Sequence, residues 1–313
     1  MNKAIYPCDL HAHTNRSDGN DSPRELIDNA AAAGLKVVAL TDHDIIAPDV
    51  IEIDGVQVSP GKYAKQQNLV LLQGIEFSCD TIVEDVHIIA LGCNWSHPFF
   101  NIEYEASIES KIEGYRELCR LLSEDGMDVN WNHDILLDGR RDEKAVQRKM
   151  IFEAMAQKGY ADNWSEAKLL VKNTPRYAVK RKKPDPADII AQIHQSGGVA
   201  IMAHPYLVSD QAQCGGKSLS RTDYIENLIK AGLDGIEASY PYDKTSYDGT
   251  LTPEQIESEV RAAYEKRLPI ISGGSDYHND GKKGAKRPRQ LGERGIELDR
   301  FLENPILRHL AGI

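Results

Sequence analysis

Several things are missing from this chain of 313 residues. No apolar run approaches the ~20 residues that a membrane-spanning helix needs. The opening Met1-Asn2-Lys3-Ala4-Ile5-Tyr6-Pro7-Cys8-Asp9 contains no apolar signal core. No two cysteines are spaced as CxxC, and the five present (Cys8, Cys79, Cys93, Cys119, Cys214) are odd in number and scattered. That disfavours a disulfide framework or a zinc knuckle and favours small buried residues in a reducing cytosol. An excess of cations is also lacking. With 37 Lys+Arg against 48 Asp+Glu, the net charge of −11 argues against coating long nucleic acid by charge alone. It leaves room for a small phosphorylated substrate, because local cations act against the global sign. Internal repeats and low-complexity segments are absent. Gly215-Gly216-Lys217-Ser218 matches the end of a phosphate-binding P-loop, but Gln211 stands where the first glycine is required. A catalytic cysteine with an arginine loop is missing too.

What remains is the composition of a soluble globular protein, 41% hydrophobic and 27% charged. A chain of this length buries roughly three-quarters of its unfolded surface without a staple. Length fits about two domains, or one α/β barrel with an insertion. Near-continuous apolar runs predict strands at Ala4–Cys8, Val37–Leu40, Leu69–Ile75, Val86–Leu91, Val199–Ala203, Gly235–Ala238 and Pro269–Ser272, as suits a parallel sheet buried on both faces. Between them, Ser22-Pro23-Arg24-Glu25, Asp185-Pro186 and Thr252-Pro253-Glu254-Gln255 open helices, while Gly34 and Gly197-Gly198 close two of them. Strand and helix in alternation imply right-handed parallel crossovers. From about Trp95 to Lys183 the pattern turns helical and charged, with helices expected at Glu105–Glu124 and Glu143–Lys158 and a return linker through Lys180–Pro186. The expected domains are a barrel, 1–94 with 184–313, and an inserted helical cap, 95–183.

The polar residues that carry chemistry stand where apolar runs stop. In Asp9-Leu10-His11-Ala12-His13, alternation along a strand puts Asp9, His11 and His13 on one face, and two imidazoles two residues apart can chelate a divalent ion. Asp18 follows in a polar turn. Thr41-Asp42-His43-Asp44 ends the second run, at the face where α/β barrels place function. Glu76 ends the third, and a hairpin would return His87 beside it. His204-Pro205 and Ser275-Asp276-Tyr277-His278 end two more. Six of the ten histidines (His11, His13, His43, His87, His204, His278), with Asp18, Glu76 and Asp276, are hard to gather this way by chance. His97, His133, His194 and His309 lie at no comparable strand end and read as ordinary surface or core residues. Imidazole with carboxylate favours zinc, manganese or iron over calcium.

These motifs resemble the PHP (polymerase and histidinol phosphatase) family, a branch of the amidohydrolase superfamily. The match comprises Asp9–Thr14 with Ser17-Asp18-Gly19, Thr41-Asp42-His43, Gly74-Ile75-Glu76, His87, Ala203-His204-Pro205 and Gly274–His278, and so spans nearly the whole chain. The resemblance implies an α/β fold, a distorted (β/α)7 barrel carrying the inserted helical domain. It implies three divalent ions (Mn, Zn or Fe). One would be held by His11, His13, Glu76 and Asp276, a second by Glu76, His87 and His204, and a third by Asp18, His43 and His278. Glu76, Asp276 and His204 would carry catalysis, with a hydroxide shared by ions as the nucleophile. Asp9, Asp42 and Asp44 would orient histidines or move protons.

The helical insertion between His87 and His204 is closest to a branch acting on nucleoside bisphosphates, RNA ends or cyclic sugar phosphates. There an arginine at the start of an insertion helix binds phosphate, and Arg148 in Gln147-Arg148-Lys149-Met150 matches it, with Lys149 and Tyr206 as further expected substrate contacts. Related sequences often read Arg-x-His at that point, a departure that separates this chain from direct transfer of the nucleotide substrate. The basic clusters Arg140, Arg141, Lys144, Arg148, Lys149, then Arg176 and Lys180–Lys183, then Lys282, Lys283, Lys286, Arg287, Arg289 read as solvated surface, with Arg148 as the exception. Tyr177 reads as packing rather than as a base platform. The expected function is hydrolysis of phosphate esters, monoester or cyclic diester, of a small phosphorylated metabolite in the cytoplasm. Neither a membrane nor a protein partner is implied. The alternatives are a 3′–5′ exonuclease on short oligonucleotides and a non-catalytic metal or ligand binder. Hydrolysis of a C–N bond is weaker still.

Overall fold

The computed structural model describes residues 3–214 and 217–313. Met1 and Asn2, Gly215 and Gly216 of the P-loop-like stretch and the side chain of Cys214 lie outside the described residues. The chain divides into two compact units, residues 1–100 with 184–313, and residues 101–183.

The first unit is a distorted (β/α)7 barrel. Its strands are β1 (Cys8–Asp9), β2 (Val37–Leu40), β3 (Val70–Cys79), β4 (Val86–Leu91), β5 (Val199–Met202), β6 (Gly235–Ser239) and β7 (Ile270–Gly273), and they neighbour one another in chain order. β1, β2 and β3 run parallel, as do β5, β6 and β7. β4 is antiparallel to both β3 and β5, so the uniform parallel crossovers expected from the alternating pattern are interrupted once. The ends meet where Leu10 N–H donates to Gly273 O (3.1 Å) and His13 N–H to Tyr277 O (2.8 Å). Gly274 permits this closure: a Cβ there would lie 2.6 Å from the His11 amide nitrogen.

Alternate residues of the strands separate two apolar layers, which is why the runs are continuous. Val37, Ala39, Ile89, Leu91, Ile201 and Ala203 share one cluster with Phe301 and Leu307 of the C-terminal helices. Ile88, Ala90, Ala200, Met202 and Ile236 belong to another, with Ile189, Ile193, Leu228 and Val260 of covering helices. Those helices begin as the caps direct. Ser22 and Thr252 make full capping boxes on Pro23–Ala33 and Pro253–Tyr264, and Asp185 caps Pro186–Gln195. Gly34 (φ 86°) ends the first. Cys8, Cys79, Cys93 and Cys119 are buried thiols. Burial raises those of Cys8 and Cys119 to about 12 and that of Cys93 to about 11, leaving them protonated.

Some elements differ from expectation. Residues 4–7 are not strand, because Pro7 has no amide proton for a ladder. β3 extends four residues past Ile75 and β4 returns directly. A hairpin, Ile51–Ile53 with Val56–Val58, turns at Asp54-Gly55, both at positive φ. A second hairpin pairs Gln211–Cys214 with Lys217–Ser220.

A long helix starts at Pro98, at the end of the first unit's N-terminal segment, and runs to Glu124 of the second. The helix expected over Glu143–Lys158 is split. Asp142 caps a single 3₁₀ turn at Glu143–Ala145, Val146 is extended and fully buried, and the α-helix is Arg148–Gln157. Leu118, Leu122, Ile135, Val146, Ile151, Met155 and Val171 form this unit's own core. No described helix is long and apolar enough to cross a membrane.

Candidate metal centre

Nine side chains singled out in the sequence converge at one end of the barrel. His11 and His13 follow β1, His43 follows β2, Glu76 lies in β3, His87 is the second residue of β4, His204 follows β5, and Asp276 and His278 follow β7. Asp18 comes from the turn after His13. His204 (φ 29°) and Asp276 (φ 49°) have left-handed backbones, unusual for such residues, as found where a site over-determines its geometry.

The tightest group is His11 Nε2, His13 Nε2, Glu76 Oε2 and Asp276 Oδ1. The two ring nitrogens are 3.1 Å apart. Glu76 Oε2 is 3.2 and 3.1 Å from them, and Asp276 Oδ1 3.5 and 3.1 Å. Atoms ~2.1 Å from a common centre lie about 3.0 Å apart in an octahedron and about 3.4 Å apart in a tetrahedron, so these separations fit a coordination shell. The other carboxylate oxygen, Glu76 Oε1, faces His87 Nδ1 (2.8 Å) and His204 Nε2 (3.0 Å). Asp18 Oδ1 lies 3.0 Å from His278 Nε2 and 3.8 Å from His13 Nδ1, and its Oδ2 lies 4.0 Å from His43 Nε2.

Electrostatics shows what this arrangement is short of. Burial opposes charge on His11 and His13, but Glu76 and Asp276 outweigh it, holding His11 protonated well above its ordinary range and His13 up to about 10. Burial lowers His43 to about 4, against the pull of Glu76. Burial works against ionisation of Glu76, Asp276 and Asp18, yet the imidazoles depress all three. Even so, His13 Nδ1, His43 Nδ1 and His204 Nδ1 are buried without a hydrogen-bond partner. His43 Nδ1 lies 3.1 Å from Glu76 Oε2, but without the angle of a hydrogen bond. Carboxylates with buried imidazole nitrogens that lack a hydrogen-bond partner are a donor set that suits divalent cations once the imidazoles lose their protons.

The surrounding residues fix the rings. His278 Nδ1–H donates to the Asp276 carbonyl (2.8 Å), which leaves Nε2 for Asp18. Glu237, fully buried on β6, accepts from His11 Nδ1 (3.3 Å) and from the His204 amide (2.8 Å). Tyr240 O–H donates to Asp276 Oδ2 (2.7 Å), and Arg289 pairs with the same oxygen and with Asp280 Oδ2 (2.9 Å). Sequence reasoning passed over Glu237, Tyr240 and Arg289. A charged residue inside the apolar run Gly235–Ala238 was an available signal for the first. Arg289 gave none, being one of several cations between 282 and 289.

Two of the three aspartates expected near the histidines, Asp42 and Asp9, hold backbone and hydroxyl groups instead. Asp42 accepts from Thr14 N–H, Thr14 Oγ1 and Ser17 Oγ, fixing the loop that carries Asp18. Asp44 accepts from Ser78 N–H. Asp9 turns from the cluster and accepts from Ser275 N–H and Oγ, Gly292 N–H and His11 N–H. Burial nonetheless raises its carboxyl to about 6.

A cleft of about 280 Å³ opens over the cluster, bordered by Asp18, His43, His87, His204, Asp276 and His278, and by Asp85, Leu207, Tyr240, Lys244 and Arg289. The solvated-surface reading of Arg289 is thereby corrected. Of the expected substrate contacts, Tyr206 hydrogen-bonds Glu259 (2.5 Å) and stacks on Arg221 (4.0 Å), while its neighbour Leu207 faces the cleft. Arg148 opens its helix in the inserted unit, exposed and 5.8 Å from the Phe152 ring. Lys149 pairs with Glu153 (3.2 Å). Tyr177 is buried and donates to Asp125.

The family model described as the PHP domain matches residues 9–194. The chain belongs to the PHP domain family. It is 31% identical over 272 residues to a 5′-3′ exoribonuclease of Haemophilus influenzae, covering 86% of this chain and 89% of that protein. A phosphoribosyl 1,2-cyclic phosphate 1,2-diphosphodiesterase of Eggerthella lenta is 27% identical, with 86% and 93% covered. A 3′,5′-nucleoside bisphosphate phosphatase of Chromobacterium violaceum is 27% identical, with 88% of each covered. Among solved structures, an inferred metal-dependent phosphoesterase from Bifidobacterium adolescentis superposes with a TM-score of 0.66 at 26% identity over 97% of each chain. The chain is a metal-dependent phosphoesterase of this family, and the fold is the expected distorted barrel.

Proposed function

We propose that this PHP protein hydrolyses phosphate esters of a small phosphorylated metabolite, a nucleotide or sugar phosphate, as monoester or cyclic diester. The observation that carries the reading is the split of Glu76. One oxygen lies within 3.2 Å of His11 and His13, the other within 3.0 Å of His87 and His204, as a carboxylate shared between two ions requires. His11, His13, Glu76 and Asp276 would hold one ion, Glu76, His87 and His204 a second, and Asp18, His43 and His278 a third. The donor set suits manganese, zinc or iron. Bound there, such ions acidify water and offset charge on phosphoryl oxygens.

The chain's own groups prepare this. Glu237 keeps the proton of His11 on Nδ1, so that Nε2 faces the cluster. Asp42 holds the Asp18 loop. Tyr240 occupies Asp276 Oδ2 and so directs Oδ1 inward. All nine groups come from the barrel, 1–94 with 184–313, and none from the inserted domain, 95–183. The free, buried thiols Cys8, Cys79, Cys93 and Cys119 suit a reducing, cytoplasmic setting. The names of the relatives support both ester classes and also a second reading, exonuclease action on short oligonucleotides. Relatives named for RNA are 5′-3′ exoribonucleases, opposite to the polarity expected from sequence.

The test is product identification with manganese-loaded protein on nucleoside monophosphates, 3′,5′-bisphosphates, sugar phosphates, cyclic phosphates and oligonucleotides, beside a chelated control. Metal-dependent phosphate release from one small class supports the first reading. Stepwise mononucleotide release supports the second. No release from protein shown to hold its metals refutes both.

A further inference from the structure

We propose that Arg289 binds the phosphoryl group of the substrate, reaching it from the position in which it clamps Asp276; the inference rests on the phosphoesterase reading above. Its guanidinium is fixed on two sides. Nη1 pairs with Asp276 Oδ2, and Nε donates to Asp280 Oδ2 at 2.9 Å. Nη2 has no hydrogen-bond partner among the described residues, and the side chain, 15% exposed, borders the cleft over the cluster. A phosphoryl group in that cleft would find a rigid, charged edge with donors to spare.

Charge decides between this role and simple bracing. Orienting Asp276 does not require a cation, because Tyr240 O–H already donates to the same Oδ2 at 2.7 Å. A permanent positive charge one carboxylate away from a set of cation ligands repels the ions the set is built for. That cost is offset when an anion binds beside it. The planar fork of arginine suits phosphate in particular. Bracing and phosphate contact therefore predict opposite signs for metal affinity once the charge is removed.

The experiment uses the full chain, with manganese affinity read by chelator competition and inorganic phosphate binding to the loaded protein read by calorimetry. Arg289→Gln should weaken phosphate binding by about 10- to 100-fold, the loss of a charged hydrogen bond, while manganese binds as tightly as before or more tightly. Arg289→Lys, which keeps the charge but loses the fork, should lie between. Tyr240→Phe should loosen manganese and leave phosphate binding to loaded protein within about twofold, since it removes only orientation. Unchanged phosphate affinity in both Arg289 variants overturns the proposal, and so does manganese loss in Arg289→Gln like that of Tyr240→Phe. If Arg289→Gln fails to fold, Arg289→Lys decides alone, and phosphate binding equal to the parent refutes it. Arg289-dependent phosphate binding by a protein that hydrolyses no ester would refute the phosphoesterase reading, and with it the substrate role, and leave Arg289 as a phosphate-binding residue alone.

Discussion

Replacing Glu237 by glutamine tests how the centre is held, because the change keeps size and removes one acceptor. In the parent, two buried donors use this carboxylate, the His204 amide at 2.8 Å and His11 Nδ1 at 3.3 Å. The amide has only one oxygen. If that oxygen stays with His204 N–H, the NH2 faces His11 Nδ1 and drives the His11 proton to Nε2. Nε2 lies 3.1 Å from His13 Nε2 and 3.2 Å from Glu76 Oε2, so its lone pair is lost to the cluster. If the oxygen turns to His11, an NH2 meets the N–H of His204, a residue already at φ 29°. Either arrangement loses a charged, buried hydrogen bond worth ~1.5–3 kcal/mol. Loss of such a supporting partner lowers metal affinity about 10- to 100-fold. The assay is chelator competition over a range of pH, because removing the Glu237 charge also eases deprotonation of His11, an opposing effect that fades as pH rises. Nitrogen-15 imidazole spectra report the tautomer directly. Glutamine protein that binds metal as tightly as the parent at high pH, with His11 still protonated on Nδ1, would refute the reasoning.

Asp276→Asn should abolish turnover while circular dichroism and the urea midpoint stay near those of the parent; an unaltered rate would remove Asp276 from the ligand set. Asp9→Asn should destabilise the barrel by ~1–3 kcal/mol, read from urea unfolding, because its NH2 would face Gly292 N–H or Ser275 and leave a buried donor unpaired; unchanged stability would show that this closure is dispensable. Arg148→Ala should raise KM about tenfold, the scale of one charged hydrogen bond, with metal content intact; unchanged kinetics would discard its phosphate role. Metal must displace the protons that His11 and His13 keep, the latter up to about pH 10, so ion affinity should rise as pH increases from about 6 towards that value. Calorimetry in buffers of differing ionisation heat should show proton release, and heats independent of buffer would contradict it.

The parts legible in the sequence are those whose signal is local. β2 and β4 have the bounds that their apolar runs suggested, and the capped helices begin at their Ser22, Asp185 and Thr252 caps. The ligand-type residues were visible because each stands beside an apolar run, so His43, Glu76, His204 and Asp276 advertise themselves. What stayed hidden depends on pairing across the chain. Glu237 looks like a misplaced charge until β6 sets it beside His11, 226 positions away. Arg289 looks like one more surface cation until the loop after β7 folds it against Asp276. Aromatic stacking at Tyr206 depends on Arg221 in the same way. The 143–158 helix failed because residue composition favoured continuity, while Val146 was claimed by the core of its unit as an extended residue.

The reversal of β4 connects the distorted fold to the chemistry. In a barrel of parallel strands, every residue at the functional end comes from the C-terminal end of a strand. Glu76 would then have partners only from strand ends and the loops after them. Because β4 runs antiparallel to β3, its first residues lie at that same end, and Ser78 pairs with His87 in register. A strand beginning, rather than a strand ending, therefore supplies an imidazole to Glu76 Oε1 at 2.8 Å. On the far side, His204, just after β5, lies 3.0 Å from the same oxygen. The antiparallel strand thus adds His87 to His204 on one oxygen, while His11, His13 and His43 lie about the other. A uniformly parallel barrel with these motifs would leave Oε1 with His204 alone. Lengthening the 80–85 turn by one residue, with its ends still paired, should spare metal retention, whereas shifting the β3–β4 register by one residue should turn His87 to the opposite face and release ions from that half of the centre.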